Sequence, residues 1–269
     1  MSEIASENTD DIIQIGTNNT DEIAHFIFGR FQPPTVGHGA LIQKISESAG
    51  QGDAYVFVSS TQDAKKNPLN VVQKIKWLKQ MFGQKYGNVK FINTTSCPTI
   101  NEVSTNGCKN PIVAIYALIQ AGYKQAFFYA GSDRAEGYKK TVSKCNFEGI
   151  ELEVVQVGAE REPEQQIVGK KRGFVEKNTE QCPSKMIMET ETETDDISGV
   201  SGTKMRNYAV ACNTTEFAKG VINLSDADIN ELIEQIRTGL KLPSCITGGK
   251  RRKTVKKRNN KKKRNTKKR

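Results

Sequence analysis

A segment between an apolar strand and a helix gathers residue types that bind phosphate. It follows the apolar run Ile23 to Phe28 and leads into a helix expected over about Gly37 to Ser48. Its residues are Gly29, Arg30, Phe31, Gln32, Pro33, Pro34, Thr35, Val36, Gly37 and His38. Glycines allow close backbone approach to a ligand, and a helix N-terminus favours an anion. The segment therefore predicts a phosphate site at which His38 directs an imidazole nitrogen.

A second segment far downstream has similar chemistry. It reads Val200, Ser201, Gly202, Thr203, Lys204, Met205 and Arg206. Ser201 and Thr203 at a helix start offer hydroxyls and backbone amides, and Arg206 lies one turn further along the same helical face. We expect this segment to face the same anion, which would be a triphosphate tail.

The elements that position these segments alternate between strand and helix. Strand candidates are Ile23 to Phe28, Ala54 to Ser59, Val89 to Asn93, Ala126 to Ala130 and Leu152 to Val157. Helices are expected over Gly37 to Ser48, Val72 to Phe82, Pro111 to Ala121 and Ser225 to Leu240, with Val72, Ile75, Leu78 and Phe82 as the apolar positions of the second. The pattern predicts an α/β, Rossmann-like three-layer sandwich with a five-stranded parallel sheet. Ligands bind such sheets at the carboxyl ends of the strands.

Both segments resemble motifs of one enzyme family. The first is similar to the G-x-F-x-P-x-(H/T)-x-G-H signature of the HIGH-motif nucleotidyltransferase superfamily, the cytidylyltransferase-like group, and Thr35 takes its (H/T) position. Its wording is most similar to the nicotinamide mononucleotide adenylyltransferases of archaeal type and to related phage enzymes. The second resembles the family's I-S-x-T-x-x-R motif. The resemblance covers roughly Ile23 to Ile222.

Two shorter segments extend the resemblance. Gly131-Ser132-Asp133-Arg134, directly after the fourth strand, resembles the family's G-x-D segment, which lines the nucleotide pocket. Lys66-Asn67-Pro68-Leu69 resembles the lysine-bearing loop of phage members.

His25, inside the first strand, is interpreted as a packed strand residue.

The resemblance implies transfer of a nucleoside monophosphate from a triphosphate to a phosphorylated acceptor, with release of pyrophosphate. It implies Mg²⁺ on the triphosphate and no covalent intermediate. The implied catalytic residues are His38, Thr35, Thr203 and Arg206. The implied nucleotide-binding residues are Gly29, Arg30, Phe31, Gly37, His38, Gly131, Asp133, Ser201, Gly202, Thr203 and Arg206. Arg30 or Lys66 would hold the acceptor's phosphate.

Three functions stay open at this stage. The leading one is an adenylyltransferase that uses ATP and nicotinamide mononucleotide or a related acceptor. A CTP-dependent cytidylyltransferase is the alternative, because the sequence does not expose the backbone contacts that choose the base. A non-catalytic nucleotide-binding or nucleic-acid-binding protein is the third.

The positive charge is concentrated at one end of the chain. The formal net charge is +10, but residues 250–269 hold 14 basic residues and no acidic ones, so the remainder is mildly acidic. We expect a disordered acidic leader over 1–22, a nucleotidyltransferase domain over 23–242 with an insertion or mobile loop at 165–196, and a disordered basic tail over 243–269. The tail suits nonspecific nucleic-acid contact, nuclear import or packaging, and it resembles the Lys/Arg-rich ends of many proteins of large DNA viruses.

The cysteines and the hydropathy bear on the compartment. The six cysteines contain no C-x-x-C pair, and with two histidines they form no familiar zinc spacing. We expect reduced thiols in the cytoplasm or nucleus, of a host cell or virion if the chain is viral. No apolar run approaches the roughly 18 residues of a membrane span, so no membrane contact is expected.

Overall fold

A computed structural model describes residues 15–16, 22–50, 52–94, 111–158 and 200–245. Its strands are β1 (Ile23–Gly29), β2 (Asp53–Val58), β3 (Val89–Asn93), β4 (Gln125–Gly131) and β5 (Glu151–Val157). Its helices are α1 (Val36–Ala49), α2 (Val71–Leu78), α3 (Pro111–Gln120), α4 (Ser132–Val142), α5 (Gly202–Val210), α6 (Thr214–Ala218) and α7 (Asp226–Gly239), with a π-helical turn at Lys79–Gly83 after α2. The predicted insertion and basic tail from residue 246 onward lie outside the described residues.

The five strands form one parallel sheet in the order β3-β2-β1-β4-β5. The predicted fold class is therefore confirmed. In the register, Gly29 lies beside Val58 of β2, and Phe26 lies beside Phe128 of β4. Since β1 is central and strand order reverses beside it, the loop after Gly29 lies at the switch point where such sheets bind ligands.

Successive side chains along the strands point to opposite faces of the sheet and pack into two separate cores. One face, with Ile27 and Val56, packs against α1, α2, α5, α6 and α7. The other, with Phe26 and Phe128, packs against α3 and α4. This alternation follows from the twofold period of a strand, and it gives helices on both faces as expected.

The helix after β2 buries a different stripe from the one predicted. Val72, predicted as a core position, is 66% exposed, and Lys74 has no exposed surface. After Leu78 the chain enters the π-helical turn, which buries both Met81 and Phe82. At the start of α2 the neighbouring Val71 is buried in place of Val72, so the buried stripe begins one residue earlier than predicted. The expectation of one regular stripe was therefore wrong at Val72.

The last described residues belong to the folded domain. The buried guanidinium of Arg237 donates to the carbonyl of Ala209, at 2.9 Å, and to that of Pro243, at 2.6 and 2.8 Å. A disulfide joins Cys212 to Cys245, and Cys145 is also disulfide-bonded. The expectation of reduced thiols was therefore wrong for these three cysteines. The arginine and the disulfide fasten the segment after α7 to the C-terminal end of α5.

Part of the predicted leader also contacts the domain. The hydroxyls of Tyr55 and Tyr123 donate to the carbonyl of Gly16, at 3.2 and 3.0 Å. Tyr123 is also 2.6 Å from a carboxylate oxygen of Asp53, and Ile15 packs on the α3 side of the sheet. Residues 15–16 thus lie against the sheet at the amino end of β2, away from the ligand edge. Within the described ranges, no helix has both the length and the apolar character needed to span a bilayer.

We predict that Gly239→Ala destabilises the fold. A Cβ at Gly239 would lie 2.2 Å from the carbonyl oxygen of Pro68, a backbone atom of the loop after β2. The expected loss is about 1 to 3 kcal/mol of unfolding free energy, measured by urea denaturation. Gly137→Ala in α4 is the control: a Cβ there meets nothing within 4 Å, so helix propensity should stabilise by about 0.5 to 1 kcal/mol. Equal effects at both positions would contradict the close contact with Pro68.

Candidate active site

The loop after β1 folds an aromatic ring back onto the end of the strand. Phe31 has a φ of +48° and is 2% exposed. A Cβ at Gly29 would lie 2.7 Å from its ring, so glycine is required there. The ring centroid of Phe31 is 4.8 Å from that of His38. Phe31, predicted to bind the nucleotide, therefore packs against the imidazole of His38.

Hydrogen bonding fixes how the imidazole of His38 is held. Thr35 is the N-cap of α1, and its backbone N–H donates to Nδ1 of His38 at 3.0 Å. The Thr35 hydroxyl lies 2.9 Å from the same nitrogen. Because a backbone N–H can only donate, Nδ1 acts as an acceptor, and the proton of the neutral ring is assigned to Nε2. That proton is on the side of the ring away from Thr35, where it can be donated to a phosphate oxygen.

Thr35 is fully buried, and this bears on its predicted role. Its backbone and hydroxyl are both engaged with His38. The geometry supports Thr35 as the residue that orients the imidazole rather than as a direct phosphate ligand.

Two of the first amides of α1 are already used within the protein. The N–H of Val36 donates to the carbonyl of Gly220 at 3.0 Å, and the N–H of His38 donates to the carbonyl of Thr35 at 3.1 Å. Gly37 is buried in the same turn. The anion site predicted at this helix start therefore depends on side chains more than on backbone amides.

The second motif starts α5 and meets the first motif directly. Ser201 is the N-cap and accepts from the N–H of Lys204 at 3.1 Å. Arg206 donates to the hydroxyl oxygen of Thr203 at 2.8 Å and to the carbonyl of Gln32 at 2.7 Å. A Cβ at Gly202 would lie 2.9 Å from that carbonyl oxygen. The structure thus brings the two segments together, and glycine at position 202 permits the contact.

Gln32, which the sequence reasoning did not select, joins a third loop to the site. It is 5% exposed. Its amide oxygen accepts from the N–H of Leu69 at 2.9 Å, and its amide nitrogen donates to the carbonyl of Leu69 at 2.8 Å. The side chain therefore pairs with Leu69 as a neighbouring strand would, and it anchors the lysine-bearing loop beside β1.

Within that loop, Asp63 holds the backbone around Lys66. One carboxylate oxygen accepts from the N–H groups of Lys65 at 2.8 Å and of Lys66 at 2.7 Å. Burial raises the pKa of Asp63, but these two backbone bonds and the two bonds from Asn67, one from its side chain and one from its backbone, outweigh this effect and lower the pKa to about 2. The loop is therefore ordered, and it carries the side chain of Lys66 on its exposed side.

A buried lysine lies under the same loop and was missed by the sequence reasoning. Nζ of Lys74 donates to the carbonyls of Ser59 at 2.7 Å and Thr61 at 2.9 Å, just beyond the end of β2. Desolvation and, to a smaller extent, the charge of Arg30 together lower the pKa of Lys74 to about 7. A lysine between apolar helix positions is usually solvent-facing, so the sequence carried no signal for its burial.

The Gly131–Arg134 segment lies at the end of β4, level with the end of β1. Gly131 is the N-cap of α4, and a Cβ there would lie 2.8 Å from Oδ1 of Asp133. Asp133 lies in the first turn of α4, 3.4 Å from Nε of Arg134. Asp133 therefore folds back over the strand end, where an acidic group favours the helix N-terminus.

Comparison with known proteins shows the family to which the chain belongs. The model of the Cytidylyltransferase-like family matches residues 26–208. The chain belongs to the cytidylyltransferase-like family. The match spans both motif segments, so the resemblance inferred from their residues is confirmed, and the protein is a nucleotidyltransferase of that family. No curated protein matches the chain in sequence.

Two solved structures are among those similar to the chain. One is a Vibrio parahaemolyticus protein described as a nicotinate-nucleotide adenylyltransferase, with 13% identity, a TM-score of 0.37, and coverage of 78% of this chain and 97% of that one. The other is the nicotinic acid mononucleotide adenylyltransferase of Plasmodium falciparum, complexed with NaAD, with 14% identity, a TM-score of 0.44, and coverage of 77% and 93%.

We predict that Lys74 makes stability depend on pH above neutrality. The pKa is about 7 in the folded protein against an ordinary 10.5, so between these values the unfolded chain binds more protons. Stability contributed through Lys74 should therefore rise with pH over this window, by up to about 1.4 kcal/mol per pH unit. Urea denaturation at pH 7, 8 and 9 should show the unfolding free energy of the wild type rising relative to Lys74→Met. Parallel curves for the two proteins would refute this.

Proposed function

We propose that this nucleotidyltransferase moves AMP from ATP to a phosphorylated acceptor, such as nicotinamide mononucleotide, and releases pyrophosphate. The observation that carries the proposal is the contact between the two motif segments: Arg206 donates to the carbonyl of Gln32 in the loop after β1, and the ring of His38 lies against Phe31, the adjacent residue of that loop. An oxygen of the acceptor phosphate attacks the α-phosphorus. The new P–O bond forms as the bond between the α-phosphorus and its bridging oxygen breaks.

The proposed site stabilises charge and needs no nucleophile of its own. His38 donates through Nε2–H to oxygens of the α- and β-phosphates, which gain negative charge in the transition state. Ser201, Thr203 and Arg206 contact the β- and γ-phosphates, and Arg206 is oriented for this by Gln32 and Thr203. The protein's contribution is positioning and neutralisation, as expected for transfer of phosphorus groups.

Mg²⁺ in this proposal belongs to the triphosphate. In the part of the chain that the structure describes, no three or more His, Cys, Asp and Glu side chains are grouped so that they could hold a metal ion. In the proposed reaction the ion would be bound by phosphate oxygens and delivered with ATP, and it would neutralise charge on the leaving pyrophosphate.

The remaining nucleotide contacts are proposed at the neighbouring strand ends. Gly29, Gly37 and Gly131 allow the nucleotide to approach the backbone, and Asp133 lies at the start of α4 within the same edge. Arg30 and Lys66 stay the proposed ligands of the acceptor phosphate. The basic residues 250–269 would add nonspecific nucleic-acid contact that is separate from catalysis.

We predict that His38→Ala lowers transfer by at least about 100-fold, because it removes a principal donor to the developing charge. Pyrophosphate release with saturating ATP and acceptor measures the effect, and circular dichroism confirms the fold. The matched control is the other histidine: His25 lies in β1 with Nδ1 2.9 Å from the Tyr129 hydroxyl, so His25→Ala should keep transfer. A folded His38→Ala protein with full activity would exclude the assignment.

A screen of triphosphates against acceptors tests the substrates themselves. ATP, CTP, GTP and UTP are each incubated with Mg²⁺ and with phosphorylated acceptors that include nicotinamide mononucleotide, and pyrophosphate is measured. We expect release with ATP and a phosphorylated acceptor. Release with CTP instead would identify a cytidylyltransferase, and release with no pair would favour a non-catalytic nucleotide-binding protein.

A further inference from the structure

Three basic residues lie just past the carboxyl ends of three neighbouring strands, β2, β1 and β4. Nζ of Lys74 binds the carbonyls of Ser59 and Thr61 just past β2. Arg30 directly follows β1, and Arg134 lies in the first turn of α4, three residues after the end of β4. The parallel register sets the ends of these strands level with one another, so the three residues share one edge of the sheet.

These charges are partly buried and poorly balanced. Lys74 is fully buried, Arg30 is half-buried, and the side chain of Arg134 is 37% exposed. Among the described residues, Arg30 forms no ion pair, and the carboxylate partner of Arg134 is its own neighbour Asp133 at 3.4 Å. Like charges gathered at a partly desolvated edge cost free energy, which an anion placed among them would recover.

The electrostatic effects on Arg30 agree with this proximity. Burial lowers the pKa of Arg30, and the charge of Arg134 lowers it further. Tyr138 and Asp63 act in the opposite direction but do not reverse the shift. The two guanidinium groups are thus close enough to repel each other.

The pair lies on the opposite side of the sheet edge from the triphosphate motifs. Phe28 packs in the core beneath α3 and α4, whereas Ile27 packs in the core beneath α1 and α5. Arg30 is two residues after Phe28, so its side chain is expected on the same face of the sheet as that of Phe28. Arg134 belongs to α4 on that face. His38 and Arg206 belong to α1 and α5. The triphosphate therefore has its ligands on one side of β1, and the arginine pair suits a second anionic group on the other.

We propose that Arg134 acts with Arg30 to bind the phosphomonoester of the acceptor, and that Arg134 is a specificity-determining residue of this enzyme. This inference rests on the proposed function. Lys74 is a positioning residue in this arrangement: it holds the carbonyls of Ser59 and Thr61 at the end of β2. Two guanidinium groups suit a phosphate dianion because each can present two parallel N–H donors to its oxygens.

Binding of inorganic phosphate tests the subsite without any need for turnover. The full-length protein is saturated with an ATP analogue that has a methylene group between its α- and β-phosphates, so that the triphosphate ligands are occupied. Phosphate is then titrated at constant ionic strength and followed by ³¹P NMR. Arg134→Gln should weaken phosphate binding roughly tenfold or more, and Arg134→Lys should restore part of it.

The control variant is Lys140→Gln, on the same helix, where Lys140 is 74% exposed and 3.8 Å from Glu136. It should bind phosphate as the wild type does, and all variants should bind the ATP analogue equally. The proposal is overturned if the wild type binds no phosphate beside the analogue, if Arg134→Gln binds it normally, or if that variant loses the analogue to the same degree.

A kinetic arm separates this inference from the proposed function. With the triphosphate and acceptor found by the pyrophosphate screen, Arg134→Gln should raise KM for the acceptor about tenfold and leave KM for the triphosphate unchanged. A uniform fall in kcat with both KM values unchanged would overturn the assignment. If the wild type releases no pyrophosphate with any pair, the proposed function fails, while the phosphate titration still decides whether Arg134 binds an anion.

Discussion

The carbonyl oxygen of Gln32 accepts a hydrogen bond from Arg206, a residue 174 positions later in the chain. This contact is what makes a single site out of two distant motifs. The Gly202 backbone approaches the same oxygen so closely that a Cβ there would lie 2.9 Å away. The Gln32 side chain also forms hydrogen bonds with the backbone N–H and carbonyl of Leu69. One buried residue therefore sets the relative positions of α5, the loop after β1 and the loop after β2.

Chemistry at the site is decided by which groups the protein has already satisfied. The N–H groups of Val36 and His38 are used within the fold, so α1 offers less of its N-terminal charge to a ligand than the sequence suggests. The Thr35 N–H, however, donates to Nδ1 of His38, so this nitrogen is an acceptor. In the proposed reaction, the proton on Nε2 would replace part of what backbone amides supply at other helix-start phosphate sites. Buried Thr35 explains why a hydroxyl residue at this position can matter without reaching the ligand.

The sequence was informative where local and periodic signals agree. The order of strands and helices, the parallel sheet and the extent of α7, expected over Ser225 to Leu240, follow from the apolar pattern of the sequence. The two motif segments were also recognisable, because each places several residue types in a fixed spacing. What could not be predicted depends on tertiary contacts: the burial of Lys74 requires carbonyls that only the folded chain brings near, and Gln32 looks like an ordinary loop residue. The disulfide between Cys212 and Cys245 was missed for the same reason, since their spacing matches no known motif and only the packing of α7 brings them together.

The position of β1 in the sheet explains why a two-anion reaction suits this fold. In-line transfer needs the attacking and leaving oxygens on opposite sides of the phosphorus. Because helices pack on both faces of the sheet, positive groups from both sides can reach the end of a central strand. His38 and Arg206 lie on the side of α1 and α5, where pyrophosphate would leave, and Arg30 lies on the side of α4. An α-phosphorus held at the end of β1 would then lie between the two sets, so the helices on the two faces of the sheet would separate the leaving group from the attacking phosphate.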